Sequence, residues 1–239
     1  MNKENTLFAL VGLGFGLFLG FAFVVWANQR AATPRVDAAA VEGTDGADGE
    51  SSITGAEGPQ FDSQIEAAVK AAREQPDDFN AQMQAASLSY EASRYDDVLE
   101  FLLRANELQP DNVETVVALG NANYDAGRYE AAEKWYTAAL TKRPNDVNVR
   151  TDLGLTFLLR APSDPARAIA EFRRSLERDP NHVPTLQNLV VALTRKGDKA
   201  EARATLSKLE KLNPENPALP QLRAGLDAEA SADTTKSGS

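Results

Sequence analysis

The stretch DNVETVVALGNANYDAGRYEAAEKWYTAALTKRP, residues 111–144, decides the fold. Its apolar residues recur at helical spacing in two runs, and Ala-Gly-Arg at 126–128 separates the runs as a turn. The stretch therefore predicts two antiparallel helices, with the small residues Gly120 and Ala132 where the helices cross. The apolar face of the first helix is Val113, Val116, Val117 and Leu119, and that of the second is Tyr129, Ala132, Tyr136 and Ala139.

Prolines mark a period in the chain. Pro76, Pro110, Pro144, Pro180 and Pro214 are spaced 34, 34, 36 and 34 residues apart, and Asp or Asn follows each of the first four. Proline cannot continue a helix, and Asp and Asn cap the free N–H groups of a helix that begins. Each proline therefore marks the joint between two copies of one helical unit.

This pattern resembles the tetratricopeptide repeat (TPR), although Val116 stands where the family has a tryptophan. The resemblance implies an all-α, right-handed superhelical solenoid of helix-turn-helix repeats, with a groove lined by the first helix of each repeat. The matching residues are Leu119, Gly120, Tyr124, Ala132, Tyr136, Ala139 and Pro144.

Four full repeats are predicted in this register. In the third, the turn APSDPAR is two residues longer, and Asp164 and Pro165 there suit the cap and the first position of the next helix. The predicted units are a half-repeat helix at 61–76, repeats at 77–110, 111–144, 145–180 and 181–214, a capping helix at 215–227 and a disordered tail at 228–239.

The N-terminal region predicts a membrane anchor. After a short tail at 1–6, residues 7–27 carry no charge and would span about 31 Å as a helix, close to the thickness of a bilayer core. A cleaved signal peptide is the alternative, but the apolar run is longer than a signal core. Residues 28–60 are rich in small and acidic residues and predict a disordered acidic linker.

Gly12, Gly16 and Gly20 fall on one face of the predicted transmembrane helix, where they would let a second helix approach closely. They raise the alternative of a structural membrane protein that associates with itself. The basic residues hardly distinguish the two orientations in the membrane, because Lys3 precedes the span and Arg30 and Arg35 follow it. We expect a single-pass protein, of a bacterial inner membrane, with its repeats outside the cytoplasm.

Composition argues against several function classes. A net charge of −10 disfavours nucleic-acid binding, and the chain has no cysteine and one histidine, His182, which we expect to cap a helix or face solvent. No catalytic residue, metal site or cofactor is predicted. We expect a non-enzymatic scaffold for protein–protein interaction; its layout of span, tether and repeats resembles TPR subunits of bacterial cytochrome c maturation and of envelope assembly machines.

The TPR resemblance also implies the groove residues. Their side chains are apolar or amides rather than Lys and Arg, so we expect a partner helix or extended segment with apolar anchors and not a bare carboxylate. Alternatively, Leu155, Leu158 and Val191 complete the superhelix core. The implied positions are Asn80, Met83, Ser87, Tyr90, Glu114, Val117, Asn121, Tyr124, Asn148, Thr151, Leu155, Leu158, Gln187, Val191 and Thr194.

Overall fold

A computed structural model describes residues 59–236, and this part of the chain is built from helices without strands. The helices are α1 (Pro59–Glu74), α2 (Phe79–Glu91), α3 (Tyr95–Leu108), α4 (Val113–Asp125), α5 (Tyr129–Lys142), α6 (Val147–Leu159), α7 (Pro165–Arg178), α8 (Val183–Lys196), α9 (Lys199–Leu212) and α10 (Leu219–Lys236).

Each of the four predicted repeats contains two of these helices, which form the pairs α2–α3, α4–α5, α6–α7 and α8–α9. Each helix packs on its neighbours in the chain, and the first helices α6 and α8 also contact each other. The first helices therefore form one layer of the stack and the second helices the other.

The predicted membrane span at 7–27, with Gly12, Gly16 and Gly20, lies outside the described residues. Of the helices between residues 59 and 236, none combines the length and the apolar character needed to cross a bilayer. The last two residues assigned to the linker, 59 and 60, begin α1.

The joints between repeats are turns built around the periodic prolines. Proline fixes φ at about −65°, which suits the second position of a turn. In every joint the N–H two residues after the proline donates to the carbonyl of the residue before it, at 3.1 or 3.2 Å. The donors are Asp78, Asn112, Asp146, His182 and Asn216.

Because the residue directly after each proline is used in this turn, the helix cap falls one position later than predicted. The side chains of Asp78, Asn112 and Asp146 accept hydrogen bonds from N–H groups in the first turn of α2, α4 and α6. In the longer third turn Asp164 caps α7 and Pro165 is its first residue, which confirms the prediction for both.

The two helices of repeats 2 and 3 cross at a glycine that faces an aromatic ring. A Cβ atom on Gly120 would lie 2.5 Å from Cε1 of Tyr136, and one on Gly154 would clash with the Phe172 ring. The equivalent positions of repeat 1 hold Ala86 with Leu102, and those of repeat 4 hold Val190 with Leu206. A larger first-helix residue thus accompanies a smaller second-helix residue, as constant packing volume requires.

The ends of the stack are closed by α1 and α10. Ile65, Val69 and Ala72 of α1 are buried against α2 and α3, as the half-repeat prediction expects. At the other end α10 buries Leu222 and Leu226 and continues to Lys236, so the predicted disordered tail from 228 is helical over most of its length. No proline follows Pro220 and no glycine follows Gly225 until Gly238, so nothing in the sequence stops the helix earlier.

Gly154→Ala should destabilise the protein, because the added methyl group meets the ring of Phe172, which is fully buried and has no room to move. We expect the free energy of unfolding to fall by about 1–3 kcal/mol, the usual cost of overpacking. The measurement is urea unfolding followed by circular dichroism.

Gly225→Ala is the matched control, since its Cβ would meet nothing within 4 Å and alanine is the better helix former. It should leave stability unchanged or raise it. A Gly154→Ala protein as stable as the wild type would contradict the described crossing.

Candidate functional site

The fifteen predicted groove residues all lie on the first helices of the four repeats, α2, α4, α6 and α8. We call this surface the groove face. The structure leaves some of them accessible and places others in the core. Exposed residues are Asn80, Ser87, Glu114 and Asn148; half-buried ones are Met83, Tyr90, Val117, Asn121 and Thr194; buried ones are Tyr124, Thr151, Leu155, Leu158, Gln187 and Val191.

Accessibility divides the groove face in two. In repeats 1 and 2, the open half, seven of the eight positions are exposed or half-buried, whereas in repeats 3 and 4, the closed half, five of seven are buried. Leu155, Leu158 and Val191 are 4, 2 and 9 % exposed. They complete the core, which is the second of the two interpretations that the sequence allows, and their side chains are not a lining for a partner in this structure.

Hydroxyl groups explain why Thr151 is buried. Its Oγ1 donates to the Val147 carbonyl at 2.8 Å and lies 2.6 Å from Oγ1 of Thr185 and 3.1 Å from Oγ of Ser175. These contacts join α6, α7 and α8 through a polar cluster in which each hydroxyl has a partner. Thr151 therefore links repeats 3 and 4 instead of facing a ligand.

His182 belongs to the same polar cluster. It lies at the N-cap position of α8, but its side chain makes no capping hydrogen bond and does not face solvent, contrary to the expectation from the sequence. Its Nδ1 is instead 2.6 Å from Oγ1 of Thr185. Burial lowers the pKa of His182, while the nearby Asp179 opposes this shift. The ring is half-buried and serves the joint between repeats.

The closed half also ends in polar contacts with the cap. Gln187 Nε2 donates to Oδ1 of Asn216 at 3.0 Å, and Arg195 donates to the Leu158 carbonyl at 2.7 Å. Burial lowers the pKa of Arg195. These side chains are held by the fold, which leaves the open half as the candidate site.

Two tyrosine pairs organise the open half, one in each repeat. Tyr90 meets Tyr95 edge to face with ring centroids 5.9 Å apart, and Tyr124 meets Tyr129 in the same way at 5.6 Å. Each pair joins the end of a first helix to the start of the second helix. The Tyr90 hydroxyl donates to the carboxylate of Asp125, which links the two repeats across the groove face.

The hydroxyl of Tyr124 is buried and has no hydrogen-bond partner. Its side chain is 9 % exposed, and a buried polar group left unpaired costs about 1–3 kcal/mol. Burial raises the pKa of Tyr124 well above its ordinary value, and the charges of Asp152 and Asp125 add to the shift.

Tyr136 is under the same influence. Its hydroxyl donates to Oδ1 of Asn121 at 2.8 Å, and burial, followed by the charge of Asp152, raises its pKa well above the ordinary value. Asn121 is thus a half-buried groove residue with one side fixed by the core.

Asp125, which accepts the hydrogen bond of the Tyr90 hydroxyl, is a site residue that sequence reasoning did not single out. The available signal was register, because Asp125 follows the groove position Tyr124 directly. Within residues 59–236, no three acidic or histidine side chains are grouped so as to hold a metal ion.

The comparisons with known proteins agree with this architecture. The family model described as the cilia and flagella-associated protein 70 middle TPR-like domain matches residues 88–224, more than half of the chain. No curated protein matches the sequence.

Solved structures of TPR type are similar over most of the repeat region. The crystal structure of MamA is 21 % identical, with 65 % of this chain and 90 % of that chain covered and a TM-score of 0.58. YrrB, described as a TPR protein with an unusual peptide-binding site, is 17 % identical. The match covers 69 % of this chain and 84 % of YrrB, with a TM-score of 0.59. MamA 41-end from Desulfovibrio magneticus RS-1 is also 17 % identical. That match covers 66 % of this chain and 89 % of the MamA chain, with a TM-score of 0.59. At such low sequence identities, the structural similarity shows a shared fold only.

Proposed function

Because the chain belongs to the family of the cilia and flagella-associated protein 70 middle TPR-like domain, we propose that it is a protein-interaction scaffold. It binds a polypeptide segment on the open half of its groove face. The observation that carries the proposal is the contrast between the two halves. Met83 and Val117 are half-buried in repeats 1 and 2, where the equivalent Thr151 and Gln187 of repeats 3 and 4 are buried. Ser87 is exposed and Asn121 half-buried, where the equivalent Leu155 and Val191 are buried.

Such a surface suits a partner segment with apolar anchors. Met83 and Val117 offer apolar contact, and the flexible thioether of Met83 adapts to irregular partner surfaces. Ser87, Asn121 and Asn80 offer hydrogen bonds at the edges. YrrB, a similar fold, is described as having a peptide-binding site, which supports a polypeptide as the ligand class.

Membrane attachment is part of the proposal. The uncharged run at residues 7–27 would hold the repeats at a bilayer, and the acidic linker after it would let them reach a partner. The side of the membrane, the pathway and self-association through Gly12, Gly16 and Gly20 stay predictions from the sequence.

Ser87→Arg should block the groove face. Ser87 is exposed on α2, so a long cationic side chain there fills the open half without disturbing the core. We expect crosslinked partner recovered from native membranes to fall roughly tenfold, equivalent to about 1.4 kcal/mol. Quantitative mass spectrometry of the recovered partner is the measurement.

Ser207→Arg is the control, because Ser207 is equally exposed but lies on the second helix of repeat 4. It should recover the partner as well as the wild type. Equal recovery by both variants, with both folded, would place binding elsewhere than the groove face.

The anchor predicts that the full-length protein stays in the membrane pellet after carbonate extraction. The variant Phe15→Lys with Leu19→Lys should move to the supernatant, since a charge near the middle of a span costs about 2.5–3.5 kcal/mol. The variant Ala38→Lys with Ala40→Lys, in the linker, should stay in the pellet. A wild-type protein in the supernatant, or a mature chain beginning at Asn28, would contradict a retained anchor.

A further inference from the structure

The second helices differ in charge between the two ends of the stack. In repeat 1, α3 has the sequence YDDVLEFLLRANEL, with four acidic residues and one basic residue. In repeat 4, α9 has the sequence KAEARATLSKLEKL, with four basic residues and two acidic ones. Because the second helices form one layer, the outer surface of this layer is positively charged where α9 lies.

The two acidic residues of α9 are already paired with basic residues of neighbouring helices. Glu201 contacts Arg173 of α7 at 2.7 Å, and Glu210 contacts Arg223 of α10 at 2.7 Å. These pairs bring two further cations to the same surface. The positive charge of α9 is therefore not balanced by its own carboxylates.

Three exposed cations on this surface have no ion-pair partner among the side chains of residues 60–227. They are Arg178 at the end of α7 and Arg203 and Lys211 on α9, and we call them the basic patch. The exposed Glu177, next to Arg178 in the chain, offsets part of this charge. The patch as a whole stays positive and open to solvent.

Contacts between helices make the basic patch one surface. Lys208 of α9 donates to the carbonyl of Pro180, directly after α7, so the end of α7 lies beside the second half of α9. Arg203 and Lys211 are about two turns apart on α9, with the exposed Ser207 between them. The patch lies on the layer of second helices, whereas the groove face lies on the layer of first helices.

The chain itself contains a segment of complementary charge. Residues 37–57 of the predicted linker, which we call the acidic segment, carry six carboxylates and no basic residue. These carboxylates repel one another and would be repelled by an anionic bilayer, so a basic surface of the same molecule is a favourable neighbour for them. As part of the same chain, the segment meets the patch at an effective concentration in the millimolar range.

The linker is long enough to reach the basic patch. It meets the described fold at the start of α1, and α9 lies four positions further along the layer of second helices. Packed helices are about 10 Å apart, which places the patch roughly 40 Å away. The 22 residues at 37–58 can span up to about 70 Å when extended.

We propose that the acidic segment lies back along the layer of second helices and docks on the basic patch of its own chain. The docked segment shortens the reach of the tether and leaves the groove face free. This inference goes beyond the proposed function, and it holds whether or not the groove face binds a partner.

The absence of cysteine from the chain allows introduced cysteines to report the contact. The full-length protein, in a zwitterionic detergent, carries Ser51→Cys in the acidic segment and Ser207→Cys in the patch, and disulfide formation is followed on non-reducing gels. In the control, Thr137→Cys, at the equivalent exposed position of α5, replaces Ser207→Cys. We expect the disulfide at position 207 to form roughly fivefold faster, as a few screened ion pairs would give, although α5 is nearer to α1 in the stack.

Removal of either set of charges should abolish this preference for position 207, and so should high salt, because screening weakens exposed ion pairs. The patch variant is Arg203→Gln with Lys211→Gln. The segment variant is Asp45→Asn, Asp48→Asn and Glu50→Gln. Lys134→Gln with Lys142→Gln, which removes two exposed cations from α5, is the matched control and should keep the preference.

Three results would overturn the proposal. Equal rates at positions 207 and 137, or a preference that survives in the patch and segment variants, would show that these charges do not dock the segment. Crosslinked dimers in place of crosslinked monomers would show that the segment docks on a second copy. Equal rates together with slower amide exchange in α9 only in vesicles that contain phosphatidylglycerol would assign the patch to a bilayer.

Discussion

The close approach of two helices within each repeat is the constraint on which the remaining structure depends. In repeats 2 and 3 it is possible only because Gly120 and Gly154 leave space for the rings of Tyr136 and Phe172. The rings bury the second helix against the first and orient it towards the next repeat. With that distance fixed, the first helices stack as a continuous layer, and the groove face is the surface of this layer.

The same layer is used in two ways along the chain. In repeats 3 and 4, leucine and valine side chains and the Thr151–Thr185 contact join neighbouring first helices, so the layer is closed and adds to the core. In repeats 1 and 2, tyrosine, amide and serine side chains replace them, and Ser87, Tyr90 and Asn121 are exposed or half-buried. The closed half thus adds to the core, whereas the open half leaves first-helix side chains accessible to a ligand.

The sequence was a good guide to the fold because proline and glycine act locally. The joints, the longer turn at Asp164 and Pro165, and the crossing at Gly120 follow from residue type and spacing. The cap positions were one residue early, since the turn after each proline involves a backbone hydrogen bond that spacing does not reveal.

The site was harder to predict because burial depends on neighbours far away in the chain. Leu158 and Tyr90 hold equivalent groove positions in the repeat register, yet Leu158 is in the core and Tyr90 is half-buried. The central claim is that a partner segment binds on the open half of the groove face, and hydrogen exchange of the full-length protein with and without that segment tests it most directly. We expect the bound segment to slow amide exchange in α2 and α4 and to leave α3 and α5 unchanged. Slower exchange confined to α3 and α5 would contradict the claim.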